Sequence, residues 1–453
     1  MQSHAFREGS ALITCTIFLV IFTTLAVGMA AISGANLQVA DNQREADLAF
    51  ASAESGLEVL RYWVGRIRMP SSTPVAAYLS TAIAGLQAEL SANGIQNLSV
   101  NSDGSIPTVA IHSPAGQGFS GQISVDPVNP AVLLLHVVGT SRDAARTIRV
   151  SFRVEPYRFP IFNYGMATRG ALQFPQNPTL TGATENWEAD IYVESANDVM
   201  AVQISGNCNF DGDIDIGNPL GTASFGGSVQ IAGEYGQQAI DNHVTVGADP
   251  VEFPVLQTSQ FQQYATGPVI GPTTNVSNSM TLTNAVIQAG TNPTFLGNIT
   301  IQGVLLIQPP NVVRFTRNVS QQGIIVAGGD VLNPGTNQIS FEGNFASGPY
   351  PAGAQFDALR SQAGSSILAP GFAVSFTGNF SSVNGVLAAS SLYFSGNASA
   401  TVKGTMISYS QDATRVEGNI SMNFDRAQMV EIPAGFDLLR VLEYEPSSYS
   451  IVL

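Results

Sequence analysis

The chain opens on an unbroken apolar block. Residues 11–40 carry no charge, and the densest part, Ala11–Ile32 (ALITCTIFLVIFTTLAVGMAAI), is long enough to cross a bilayer core as a helix. From Ala46 onward the apolar positions thin to a seam at Phe50, Ala53, Leu57, Leu60, Val64 and Ile67, in steps of four and three. That period of about 3.5 belongs to an amphipathic helix, and Glu45, Asp47, Glu54, Glu58, Arg61 and Arg68 lie mostly off the seam. No proline precedes Pro70, so the pattern predicts one helix over residues 10–69, apolar all round over 10–35 and amphipathic over 36–69. A signal peptide cut near Met29 and Ala30 is the competing reading; the helical pattern continuing past that point argues against it. An ordinary membrane anchor with a coiled-coil neck also fits.

Pro70 and the SSTP that follows it end the helical pattern. Residues 70–155 then predict a small α+β domain, with a short helix over Ala76–Ala92 and strands at Val132–Val138 and Thr147–Val154 joined by GTSRDAAR as a hairpin. His136 in the apolar strand reads as a core histidine, and Arg142, Arg146, Arg149 and Arg153 as solvated charges.

Over 156–430 the pattern changes again. Short apolar runs are punctuated by glycine and asparagine, and an apolar or aromatic residue recurs two places before Gly-Asn, ending at Asn207, Asn298, Asn344, Asn379, Asn397 and Asn419. A second motif puts glycine before an apolar run at Gly303, Gly323, Gly385 and Gly404. A short, recurring spacing with Gly and Asn at corners predicts a stacked, right-handed parallel β-helix, with a β-sandwich or two smaller β domains as the alternative. Residues 431–453 read as a C-terminal strand or tail. The fold class is α+β multidomain.

Composition narrows what such a chain can do. Only 11% of its 453 residues are charged, with 33 acids against 18 bases. The net charge of −15 argues against binding nucleic acid through a basic surface. Two cysteines, Cys15 and Cys208, exclude a disulfide framework or a cysteine zinc site. The four histidines stand in no metalloprotease motif, and the sequence has no GxSxG elbow and no phosphate loop. Phe253–Val313 carries no charge at all, so a glycan-cleaving β-helix enzyme, which needs clustered carboxylates or bases, ranks third among the functional readings. One cluster could hold a cation: Asp211, Asp213 and Asp215 alternate, and on a strand they would converge on one side as a Ca²⁺ site, against the plainer reading of an exposed strand face. No other cofactor is expected. Seven Asn-x-Ser/Thr triplets, at Asn97, Asn275, Asn298, Asn318, Asn379, Asn397 and Asn419, read as a by-product of turn asparagines beside strand hydroxyls.

The leader MQSHAFREG (1–9), followed at once by an apolar helix that becomes amphipathic, resembles type IV pilins and pseudopilins. Within it Arg44, Ala49, Phe50, Ala53 and Glu54 in NQREADLAFASAESGLEVLRYW resemble the N-terminal region of PilX-type minor pilins. The resemblance runs from the start of the chain to the neighbourhood of Gly65. It implies cleavage by a prepilin peptidase after Gly9, leaving Ser10 as the mature N-terminus. It also implies that Phe50, Ala53, Leu57 and Leu60 pack on other pilin helices. Major pilins carry Glu at the fifth mature position, which here is Thr14. The departure suits a minor or tip subunit. The implied partners are other pilins, the pilus assembly machinery, prepilin peptidase and the inner membrane, with the bulk of the chain outside the cytoplasm. The β region would bind a surface or glycan. An envelope protein that never enters a filament is the second reading.

Overall fold

The computed structural model describes residues 5–112, 116–331, 333–395, 399–418, 420–427, 429 and 432–452. They form two compact units, Met1–Tyr157 with Leu438–Leu453, and Arg158–Asp437.

In the first unit one helix runs without interruption over Ala5–Gly65. Its C-terminal half buries Ala53, Leu57, Leu60 and Val64 against a sheet. The sheet has six antiparallel strands in the order Arg68–Pro70, Leu439–Val452, Ala144–Pro156, Val132–Ser141, Gln117–Val125 and Ser105–His112. Small residues let the helix lie close: a Cβ at Gly139 would stand 2.2 Å from Ala49 O and Ala53 N. A second helix, Tyr78–Ala92, adds Ala82, Ile83, Leu86 and Leu90 to the same core. The C-terminal strand inserts between Arg68–Pro70 and Ala144–Pro156, so the second unit is an insertion between two paired strands. Tyr157 N–H donates to Leu439 O at 2.9 Å where the chain leaves and returns.

The second unit is a large, mostly parallel sheet whose strands stack level upon level. One flank is a continuous ladder of eleven short segments. By pairing they run 244–246, 214–216, 191–193, 166–168, 406–408, 386–389, 365–369, 325–327, 305–307, 285–287 and 269–270. Ten steps at ~4.8 Å make about 48 Å.

The sequence motifs are the stacking contacts. In Phe-x-Gly-Asn the phenylalanine faces inward. Phe295, Phe315, Phe341, Phe376 and Phe394 form one ladder, with centroid spacings of 4.9, 5.2, 4.9 and 5.3 Å and rings within 11° of parallel. The glycine sits where the level below comes close: a Cβ at Gly343 would lie 2.4 Å from the Arg317 carbonyl carbon. Asparagine side chains link neighbouring levels: the motif residue Asn344 donates its backbone N–H to Asn318 Oδ1 (3.2 Å), and Asn207, in the Ile-x-Gly-Asn variant, accepts at Oδ1 from Ser228 N (2.9 Å). These contacts supply the backbone N–H groups of Ser228 and Asn344 with acceptors that water would otherwise provide. The motifs ending at Asn397 and Asn419 lie outside the described residues.

The motif of glycine before an apolar run marks strands buried on both faces. Outward positions along the flank, Val326, Leu368, Ala388, Ile407 and Ala167, are fully buried, as are their inward neighbours. A strap over 247–268 covers them. Its Phe253 packs on Tyr192 and Tyr409 (6.3 and 5.7 Å between centroids), and Tyr409 Oη donates to Pro254 O at 2.8 Å.

The order of the levels differs from the order of the chain. The first three turns (166–182, 191–210 and 214–231) climb to one end. The strap then carries the chain to the opposite end, and the remaining turns return until the last, 406–424, pairs with the first.

Candidate functional site

The surface that stands apart is the N-terminal half of the long helix. Every described side chain from Leu12 to Arg44 is exposed, including Leu12 (73%), Phe22 (66%), Val27 (69%) and Leu37 (70%). Among the described residues this is one helix long and apolar enough to cross a membrane. Water would penalise such a surface by roughly 25 cal/mol for each apolar Å², so it requires lipid or other helices around it. Thr16, Thr23 and Thr24 do not break its apolar character, because their hydroxyls donate back to Leu12, Val20 or neighbouring helical carbonyls.

The face ends at a polar clamp. Glu45 is buried, accepts from Ser141 Oγ at 2.6 Å and pairs with Arg142 at 3.1 Å; Arg142 also reaches Asp41 at 3.8 Å. Arg142 therefore ties the tip of a sheet hairpin to the helix while its side chain stays exposed, as a solvated charge should. Arg153 likewise pairs with Glu445, at 2.5 Å. The reading of His136 as a core residue fails in part: it is half-buried on the outer face of its strand, where burial and the nearby Arg149 push its pKa down.

The helix seam needs a correction. Ala53 and Leu60 are fully buried and Leu57 nearly so, all against the chain's own sheet, with Phe50 packed at the margin. That seam is already occupied and is not free for neighbouring helices; the free apolar surface lies N-terminal to it. The backbone of Gly9 and Ser10 is helical.

The three aspartates do not converge. Residues 211–213 form a corner between the strands Cys208–Phe210 and Ile214–Ile216, so the alternation does not run along one strand. Each carboxylate has its own partner. Asp211 accepts from Gly182 N (3.2 Å), Asp213 faces His243 Nδ1 (2.7 Å), and Asp215 accepts from Tyr164 Oη (2.9 Å). Among the described residues no group of three His, Cys, Asp or Glu side chains is placed to hold a metal ion.

Sequence reasoning missed a buried ionic node where the first and last turns meet. Glu188 is fully buried; its Oε1 accepts from Arg426 N (2.8 Å) and Ala427 N (2.9 Å), its Oε2 from Thr184 N (2.7 Å) and Glu185 N (3.0 Å). Burial alone would raise its pKa, but the four N–H donors outweigh burial and hold it below the usual range. The Arg426 guanidinium donates to the carbonyls of Phe162, Asn163, Trp187 and Glu188. Asp190 beside them is pushed up to about 6, chiefly by burial and then by Asp213. Glu and Arg 238 positions apart gave no local signal.

Residues 8–58 match the family described as PilX N-terminal, so the chain carries a type IV pilin-like N-terminal segment. A comparison with curated proteins found no match. Among solved structures, the competence-associated pilin ComZ from Thermus thermophilus aligns with 90% of this chain and 98% of its own. The two share 12% identity at a TM-score of 0.22.

Proposed function

We propose that this chain is a minor subunit of a type IV pilus or secretion pseudopilus, acting in filament assembly and displaying its β unit for adhesion or partner binding. The observation that carries the reading is the exposed, uncharged helix half that continues unbroken into a helix packed on an antiparallel sheet, within a segment of PilX type. Lipid would cover that half in the inner membrane, and other pilin helices would cover it in a filament. Prepilin peptidase would cut between Gly9 and Ser10. The parallel stack is read as a right-handed β-helix, the hand that parallel crossovers nearly always take. Its bulk would lie outside the cytoplasm, and a surface or glycan is the ligand class proposed for it.

Mass spectrometry of the mature N-terminus tests the assignment. A chain beginning at Ser10 supports it; one beginning at Met1 or after Ala30 removes it. Co-purification with sheared filaments separates a filament subunit from an anchored envelope protein that never leaves the membrane.

A further inference from the structure

The second unit is built from two stretches of chain that meet at a noncovalent seam. Residues 166–246 make the first three turns and the end strand, and residues 269–424 make the rest. They join through three parallel pairings: 406–408 on 166–168, 414–415 on 172–173, and 421–424 on 179–182. Glu188 and Arg426 close the seam from one side. The strap over 247–268 is the covalent link between the two stretches. Fully extended it can reach about 73 Å, against the ~48 Å of ladder that it traverses, so it is not taut.

We infer that this seam is an exchangeable interface whose partner is a second copy of this chain: the first turn of one copy docks on the last turn of another. The surfaces match by identity, since the exchanged seam uses the same pairings, the same ionic node and the same Asn423–Thr181 hydrogen bond (3.0 Å) as the closed one. Synthesis order opens the opportunity. Gly182 and Met406 are far apart in the chain, so at roughly 5–20 residues per second the first turn waits on the order of tens of seconds for its own partner. Throughout that wait it presents unpaired strand edges, which are templates for another chain. Against exchange stands the strap, which holds the two stretches at an effective concentration on the order of millimolar. Closed monomers therefore dominate at micromolar concentration. Exchange becomes substantial where copies fold side by side at high density, as membrane-anchored chains would; that setting rests on the function proposed above, whereas the exchange itself does not.

The test uses full-length chains in detergent, with Cys15→Ala and Cys208→Ala throughout. Thr181→Cys is placed in one chain and Asn423→Cys in another, at positions paired directly across the seam. A chain carrying both substitutions serves as the control and should form an intrachain disulfide in its native monomer. A mixture of the single variants, unfolded and refolded together, should give interchain disulfide that rises about tenfold for a tenfold higher concentration until it saturates. The same variants mixed after folding should give almost none. Absence of interchain product at the highest concentration, with the intrachain control oxidised, overturns the proposal. So does an equal yield when Thr181→Cys is paired with Ser320→Cys, which lies elsewhere in the stack, or a control that fails to crosslink. None of these readouts depends on whether the chain enters a filament.

Discussion

Replacing Glu188 by Ala tests what holds the seam closed. The substitution strips one acceptor group from four backbone N–H donors, at 184, 185, 426 and 427, in a site that is fully buried. The donors at 184 and 185 lie in a local turn and can recover solvent. Those at 426 and 427 cross the seam, and hydrogen bonds to a charged acceptor contribute about 1.5–3 kcal/mol each, giving roughly 3–6 kcal/mol. At ~2–4 °C per kcal/mol for a unit of this size, Glu188→Ala should lower the melting temperature of the second unit by about 6–24 °C. Glu188→Gln keeps one acceptor oxygen and should cost about half as much. Hydrogen exchange adds the location, with protection lost first over 179–189 and 421–427. The pH dependence has a fixed sign. The folded pKa is depressed, so the contribution is complete above the unfolded value near ~4.3 and is lost as pH falls through the folded pKa. The difference between wild type and Glu188→Ala should therefore shrink in acid. A variant within ~1 kcal/mol of wild type at pH 7, or protection lost evenly along the stack, would refute the reasoning.

Asp190 should behave in the opposite sense: its folded pKa, about 6, is raised, so stability is highest below the unfolded pKa and falls as pH rises through 6. Asp190→Asn keeps the acceptor for Asp213 N–H and should stabilise by about 1 kcal/mol at pH 8 after allowance for solvent screening, with no gain at pH 3.5, as read by denaturant melts. Phe341→Ala removes the middle ring of the inward ladder and should cost about 3–5 kcal/mol, whereas Phe341→Leu should cost visibly less. Gly139→Ala should loosen the helix from its sheet, seen as faster proteolysis of the first unit, because backbone on the helix cannot yield to the new Cβ. EDTA should leave the melting temperature unchanged; a fall of several degrees restored by Ca²⁺ would reinstate a cation site at the aspartates.

What the sequence made legible was whatever repeats locally. The Phe-x-Gly-Asn motif marks a corner because ring stacking, close backbone approach at Gly343 and the Asn344 N–H bond to Asn318 all fall within a few positions of Phe341. The apolar runs after Gly323 and Gly385 announce burial on both faces for the same reason. Order was not legible. Parallel pairing is made by the backbone, and the last turn presents the same kind of edge as any other, so nothing in residues 166–182 names 406–424 as their neighbour. The aspartates misled because alternation was read as strand, while Gly212 lies in a corner pressed against Ala189 and Asp190. The helix seam misled in another way: periodicity reveals a buried face but not which surface buries it, and here Leu57 and Leu60 meet the chain's own sheet.

Both units depend on chain supplied late. The final strand of the small sheet, Leu439–Val452, fills the place between Arg68–Pro70 and Ala144–Pro156, and the last turn of the stack closes on the first. Because the chain leaves at Tyr157 and returns at Leu439 on neighbouring strands, the whole of Arg158–Asp437 is inserted without changing the register on either side. An insertion of this kind leaves the helix and its sheet free to keep their own core, Ala53 to Leu442, whatever the inserted stack becomes. It follows that replacing Arg158–Asp437 by a short hairpin turn should leave the first unit folded, with the Glu45–Arg142 pair intact. Circular dichroism and protease resistance of that shortened chain in detergent check this. If the sheet is lost, its stability comes from the inserted unit, and the two could not have been elaborated separately.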